Sequence, residues 1–336
     1  MFKLRYGYLF TGIITGLIVF FSFLWSLPDG KLHIVFCDVG QGDAAYIRLP
    51  DGRDVLIDGG PNEKIIGCLS RHMPFWDRRI NIIVMTHPQN DHMGGLPAVF
   101  ERYSADYFIR SDIDNPTQGM QKLKDVIREK HIPVKLVTTG ERIDIGPANL
   151  TVLWPSAEQI ASMHSSSSSD VSHLGNISNL QPSSILGSQA PSNLNDGSVV
   201  ILLRYGTFDV LFPGDADSHV EAKYTKLQDL PSPVEVLKVP HHGSKIGMTK
   251  EFLDWLYPQP ERISNCGYNN ITIRQPAEQF NNCSLAVISV GKNSFGHPSK
   301  EAIDALTEIG VHILRTDEAG DIEVVSNGKY WYVDRK

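Results

Sequence analysis

Cysteine is scarce in this chain, four in 336 residues. That is too few for a disulfide scaffold, and with no Cys-x-x-Cys pair a thiolate zinc site is disfavoured. Basic charge is also short. The 31 Lys and Arg face 38 Asp and Glu, a formal charge of -7, which argues against a general polyanion-binding surface. Aromatics make up 9%, and no aromatic-basic strip of the kind that stacks single-stranded bases is visible. Internal repeats, collagen triplets and heptads are missing as well. Only one long apolar run occurs, so a multi-span transporter is ruled out. What is present, 41% apolar and 21% charged, is an ordinary globular composition able to bury a large core.

That one apolar run is residues 6–27, free of charge and closed by Pro28-Asp29-Gly30. About 20 apolar residues suffice to cross a hydrocarbon core. Lys3 and Arg5 favour a cytoplasmic N-terminus, and Trp25 suits an interfacial anchor. The expectation is an uncleaved signal anchor over residues 1–29, held in the cytoplasmic membrane through 6–27. The domain 30–336 would then be extracytoplasmic, or secreted if the leader is cleaved. Outside the cytoplasm a disulfide becomes possible. Cys266 and Cys283 flank a polar stretch that such a bond would close. Cys37 and Cys68 lie near apolar segments and read as small buried side chains.

From residue 31 onward short β-rich runs recur, at 32–36, 44–49, 54–57, 80–85, 199–205, 208–212, 234–239 and 286–290 among others, with helical patterns between them. Such alternation suggests two sheets packed face to face with helices outside. Residues 162–192 hold twelve serines and one charge, Asp170. They read as a flexible surface loop.

Chemistry concentrates where strands end. The strand at 80–85 runs into Thr86-His87-Pro88-Gln89-Asn90-Asp91-His92-Met93-Gly94-Gly95. Imidazole and carboxylate on one strand-to-helix turn are a ligand set for zinc, manganese or iron. The device repeats at Pro213-Gly214-Asp215 and at Pro240-His241-His242-Gly243-Ser244, and Gly296-His297-Pro298 follows another strand. The recurring order is strand, turn, ligand, which places polar groups along one rim of a sandwich.

This succession resembles the metallo-β-lactamase superfamily, and within it the soluble hydrolase domain of ComEC-type competence DNA-uptake proteins. Asp38-Val39-Gly40-Gln41-Gly42-Asp43-Ala44, Leu56-Ile57-Asp58-Gly59-Gly60, the 87–95 run, Pro213-Gly214-Asp215, 237–244, Ser289-Val290-Gly291-Lys292-Asn293 and Arg315-Thr316-Asp317 carry the resemblance. It implies an α/β fold, the αβ/βα sandwich of two mixed sheets flanked by helices, with metal at one edge. Two departures stand out. The family pattern His-x-His-x-Asp-His has Gln89 at its second histidine, and a further family histidine is replaced by Asn195-Asp196-Gly197-Ser198.

The resemblance implies a metal set of His87, Asp91, His92, Asp215 and His241, for one or two divalent ions, zinc or manganese. A second ion would use His87 and Asp215, with Asp196 as a further donor, and would bind weakly. Asp91, His242 and His297 are the expected catalytic side chains, His242 as ligand, acid or orienting donor. Asp58 is expected to orient the metal-bearing loop through hydrogen bonds. Asp38 and Asp43 bracket a Gly-rich turn, with a capping role as open as a functional one. Ser244, Lys245, Lys292 and Asn293 are candidate phosphate contacts. The leading expectation is metal-dependent hydrolysis of a phosphodiester in single-stranded DNA outside the membrane, the strand being moved by a separate membrane channel. Two others stay open: a hydrolase of a lactam, lactone or thioester, and a membrane-tethered binding module weakened by Gln89 and the missing histidine.

Overall fold

A computed structural model describes residues 6–25, 27–169, 193–225, 234–257 and 284–334. The first sheet has eight strands and the second has seven. In chain order they are β1 (Leu32–Phe36), β2 (Ala45–Arg48), β3 (Asp54–Ile57), β4 (Arg79–Val84), β5 (Ser104–Arg110), β6 (Val134–Leu136), β7 (Arg142–Ile145), β8 (Ala148–Trp154), β9 (Val200–Tyr205), β10 (Phe208–Phe212), β11 (Val236–Lys238), β12 (Leu285–Ile288), β13 (His312–Arg315), β14 (Ile322–Ser326) and β15 (Trp331–Asp334). The sheet orders are β15-β14-β1-β2-β3-β4-β5-β6 and β13-β12-β11-β10-β9-β8-β7. Both are mixed. The pairs β3–β4, β4–β5 and β5–β6 are parallel, as are β10–β11, β11–β12 and β12–β13, and the rest are antiparallel.

Alternation along the strands sorts side chains into layers. Ile34, Phe36, Ile47, Val55 and Ile57 of the first sheet meet Val152, Ile201, Leu203, Val210 and Phe212 of the second. Phe36 and Phe212 stack across this interface with ring centroids 5.9 Å apart. Burial of each such side chain stabilises the fold by about 1.5–3 kcal/mol. Opposite faces of the strands are covered by helices. Those on the first sheet are α2 (Lys64–His72), the single-turn α3 (Asn90–Met93), α4 (Leu96–Arg102) and α5 (Gln118–Glu129). On the second sheet lie α7 (Ser218–Tyr224), α8 (Lys250–Leu256) and α9 (Lys300–Glu308). The order helix, sheet, sheet, helix is the expected sandwich.

Three expectations are corrected. The first is the membrane span. The N-terminal helix α1 (Tyr6–Trp25) forms, but among the described residues no helix is long and apolar enough to cross a membrane. The anchored, extracytoplasmic placement therefore loses its support.

The second concerns cysteine. Cys37 and Cys68 are buried as expected but are joined in a disulfide, because α2 packs Cys68 into the layer that holds Cys37 after β1. Cys266 and Cys283 lie outside the described residues. The third is the serine-rich segment. Helix α6 (Ala157–Ser169) continues through the first serines, with Ile160 and Met163 packed on Ile113. Two inward side chains at i and i+3 are enough to carry the helix into a polar run. Residues 170–192 lie outside the described residues.

Candidate metal centre

Parallel strands deliver their C-terminal ends to one edge of each sheet, and ligand sites gather at such ends. Asp58 follows β3, residues 86–92 follow β4, Asp215 follows β10, and His241 and His242 follow β11. Gly94 and Gly95 let this edge close. A Cβ on Gly95 would lie 2.1 Å from the Gly59 carbonyl oxygen, and one on Gly94 2.3 Å from that of Pro61. Backbone strain marks the same place. Asp58 (φ 59°), His241 (φ 47°) and His242 (φ 53°) are left-handed without being glycine, a cost that surrounding contacts have to offset.

Hydrogen bonds fix the imidazoles one after another. Asp58 accepts from the Thr86 amide through Oδ1 (2.8 Å), and from the Thr86 hydroxyl (2.7 Å) and His92 Nδ1 (2.8 Å) through Oδ2. With its proton given to Asp58, Thr86 Oγ1 accepts from His87 Nδ1 at 3.1 Å. His242 Nδ1 donates to the Ser289 carbonyl at 2.9 Å. Each ring thus has its Nδ1 engaged by the protein and turns its Nε2 inward, the orientation a metal ligand needs.

Those Nε2 atoms converge. His92 Nε2 is 3.2 Å from Asp215 Oδ1, and His242 Nε2 is 3.3 Å from Asp91 Oδ2 and 3.5 Å from Asp215 Oδ2. His87 Nε2, His92 Nε2 and Asp215 Oδ1 are buried without a hydrogen-bond partner. Asp43, His92, Asp215 and His242 bring ligand atoms within 4.8 Å of one another, all four residues buried. Buried polar atoms left without a partner, as His87 Nε2, His92 Nε2 and Asp215 Oδ1 are, are costly unless a cation joins them. The donor set therefore fits a divalent metal. Within it Asp43 plays a different part, since its carboxylate touches the buried Lys238 ammonium and faces His242 Nδ1 at 3.4 Å.

The electrostatics agree. Burial alone would raise Asp215, but His92 and His242 hold it well below the usual carboxylate range. Burial also opposes ionisation of Asp43, and Lys238 and His242 pull it down to about 2. His242 is disfavoured as a cation by burial yet raised to about 9 by Asp215 and Asp43. Asp43, Asp91 and Asp215 thus draw in positive charge beyond that of Lys238, as protons on His92 and His242 or as a cation in their place. His87 goes the other way: burial and His92 push it down to about 3, a neutral imidazole.

The remaining candidates separate. His241 stands at the rim, Nδ1 donating to Asp217 at 2.7 Å and Nε2 4.0 Å from Asp215, so its neighbour His242 occupies the inner position. His297 lies beside both, 5.5 Å from the His241 ring and 6.4 Å from that of His242. Asp196 is turned away, bound to His219 (2.7 Å) and Asn193 (2.7 Å). Gln89 Nε2 donates to Asn195 Oδ1 at 2.6 Å. Ser244 is buried in its turn, accepting from the Ile246 amide, Lys245 pairs with Glu301 at 3.0 Å and Lys292 is exposed. Asn293 is occupied within its own loop, and Asp38 caps the Gly40 amide. Lys238 and Asp217 escaped sequence reading. A lone Lys in the apolar run Val236-Leu237-Lys238-Val239 was the available signal for the first; nothing distinguished the second.

Comparison with known proteins follows the same line. The family model described as "Metallo-beta-lactamase superfamily" matches residues 37–267. ComE operon protein 3 of Bacillus subtilis (strain 168) is 22% identical over 340 residues, covering 93% of this chain and 35% of that protein. The chain thus spans about a third of that curated relative. Among solved structures it is similar to the metallo-beta-lactamase fold protein YhfI from Bacillus subtilis (9% identity, TM-score 0.48, 88% of this chain and 100% of the other). It is also similar to Igni18, a metallo hydrolase from Ignicoccus hospitalis KIN4/I (11% identity, TM-score 0.47, 87% and 98%).

Proposed function

The chain belongs to the metallo-beta-lactamase superfamily and is a metal-dependent hydrolase, and on that premise we propose that it cleaves the phosphodiester backbone of single-stranded DNA. The observation carrying the hydrolytic reading is the convergence of His92 Nε2, His242 Nε2, Asp91 and Asp215 on one point, with buried atoms that the protein itself leaves unsatisfied. The DNA substrate rests on similarity to a ComE operon protein along 93% of this chain. A DNA-uptake setting, in which a separate channel moves the strand, is the corresponding context. Residues 30–336 are read as the hydrolase unit.

His92, His242, Asp91 and Asp215 would hold the ion, and two carboxylates beside two imidazoles suit manganese as well as zinc. When bound, a divalent cation supplies Lewis-acid activation of water and of a phosphoryl oxygen. The chain's own groups do the rest. Asp91 is ionised at the mouth, held below its ordinary range by His242 and His92 against the pull of burial, and accepts a hydrogen bond that aims the attacking water. His241, oriented by Asp217, presents Nε2 at the rim, where it can protonate the departing alkoxide. His297, kept neutral by burial and by His241 and His242, can donate to a phosphoryl oxygen.

The test incubates the full chain with labelled single-stranded DNA and manganese, beside a His92→Ala, Asp215→Ala variant. Cleavage by the native chain alone supports the reading. Inert DNA together with turnover of a lactam, lactone or thioester would reassign the substrate, and no turnover of any would leave a binding module.

A further inference from the structure

Asn293 organises the loop that follows β12. Its Nδ2 donates to the carbonyls of Gly291 (2.9 Å) and His297 (2.7 Å), and its Oδ1 accepts from the amides of Phe295 (3.0 Å) and His297 (3.1 Å). An asparagine amide has two donor hydrogens and two lone pairs, so the whole side chain is spent on the loop's shape. The loop is also tied to the one after β11, because the Ser299 amide donates to the Gly243 carbonyl at 2.8 Å.

Phe295 is the side chain held out by this frame, 73% exposed, its ring centroid 5.8 Å from that of His297. His297 leads directly to His241 and His242. Ile246, on the joined loop, is 54% exposed, and its carbonyl is fixed by the Ser218 amide at 3.0 Å. A single exposed apolar residue is ordinary on a protein surface. A loop whose backbone is fixed by an entire side-chain amide, and which carries an exposed phenyl ring one ring away from the candidate metal cluster, is a built feature. Its ordering cost is met before any substrate arrives.

We propose that Phe295 is a stacking platform for the nucleobase adjoining the scissile phosphodiester, a role that rests on the nucleic-acid reading above. Every base has a π-face, so one aromatic platform binds without sequence preference. It also answers the charge problem. The chain is acidic overall, and stacking supplies affinity that a basic groove would otherwise provide. The strand is then held by one ring and the metal cluster, in place of a strip of rings.

The experiment uses the manganese-loaded full chain with two labelled strands, oligothymidylate and the same strand with abasic sugars flanking the cleaved bond. Phe295→Ala should raise KM for oligothymidylate about tenfold with kcat within about twofold, and Phe295→Trp should restore it. On the abasic strand the native chain and Phe295→Ala should be alike. Equal KM values on oligothymidylate, or an equal loss on both strands, would overturn the platform while leaving the hydrolase intact. No cleavage of either strand by the native chain would remove the nucleic-acid reading and the platform with it.

Discussion

The side-chain amide of Gln89 donates to Asn195 Oδ1 at 2.6 Å. Gln89 stands where the family pattern has its second histidine, and Asn195 belongs to the segment that lacks the further one, so the two departures seen separately in the sequence meet in space. Two neutral amides that satisfy each other have little reason to take up a cation, and His87 Nε2 is buried there without a hydrogen-bond partner. One tightly bound ion is therefore expected, with the other position vacant or weak.

Gln89→His tests that relationship. The new imidazole breaks the amide pair and joins His87, and the metal content of the purified chain should rise above that of the native chain. Elemental analysis reads the change. An unaltered metal content would mean that residue 89 does not face the metal cluster.

Asp58 would act on a bound ion only indirectly, through its hydrogen bonds to His92 and Thr86. Asp58→Asn keeps the shape, and asparagine tolerates the left-handed backbone found there. It loses the carboxylate that fixes the His92 tautomer, so metal affinity should fall about 10–100-fold. A competition titration against a fluorescent chelator measures this, and unchanged affinity would deny Asp58 its orienting role.

Lys238 and Asp43 form a buried ion pair beneath the cluster. Removing one partner strands the other charge, so Lys238→Met should cost about 3–5 kcal/mol in a denaturant titration. Adding Asp43→Asn should recover part of the loss. If the double variant is as unstable as the sum of the two single variants, the pair is not coupled.

Glu221 supplies a pH signature away from the metal. Burial pushes its carboxyl up to about 9, against hydrogen bonds from Thr249. A raised acid pKa means the folded state holds the proton that the unfolded state has released. Stability from this group is full below the unfolded value, near 4.5, and is lost as pH rises toward 9. Glu221→Gln should flatten the fall in Tm between pH 5 and 9. Parallel curves for both proteins would contradict this.

Much of the site was legible because strands end in turns, and turns carry ligands. The runs before His87, Asp215 and His241 are apolar enough to be strands, and each stops at proline or glycine. Contacts between distant segments were not legible. Helix α2 escaped notice, and with it the Cys37–Cys68 bond, which exists only because α2 folds back over the first sheet. The inner position of His242 relative to His241 depends on two left-handed residues in succession, a backbone choice that composition does not announce. The apolar run at 6–27 showed the converse: strong hydropathy predicted a span that the described helix does not provide.

The most direct test of the account is a metal count on the full chain purified without chelator, beside a folded His92→Ala, Asp215→Ala variant. About one equivalent of divalent transition metal per native chain is expected, and almost none in the variant. Less than about half an equivalent in the native chain, or equal content in both proteins, would contradict it.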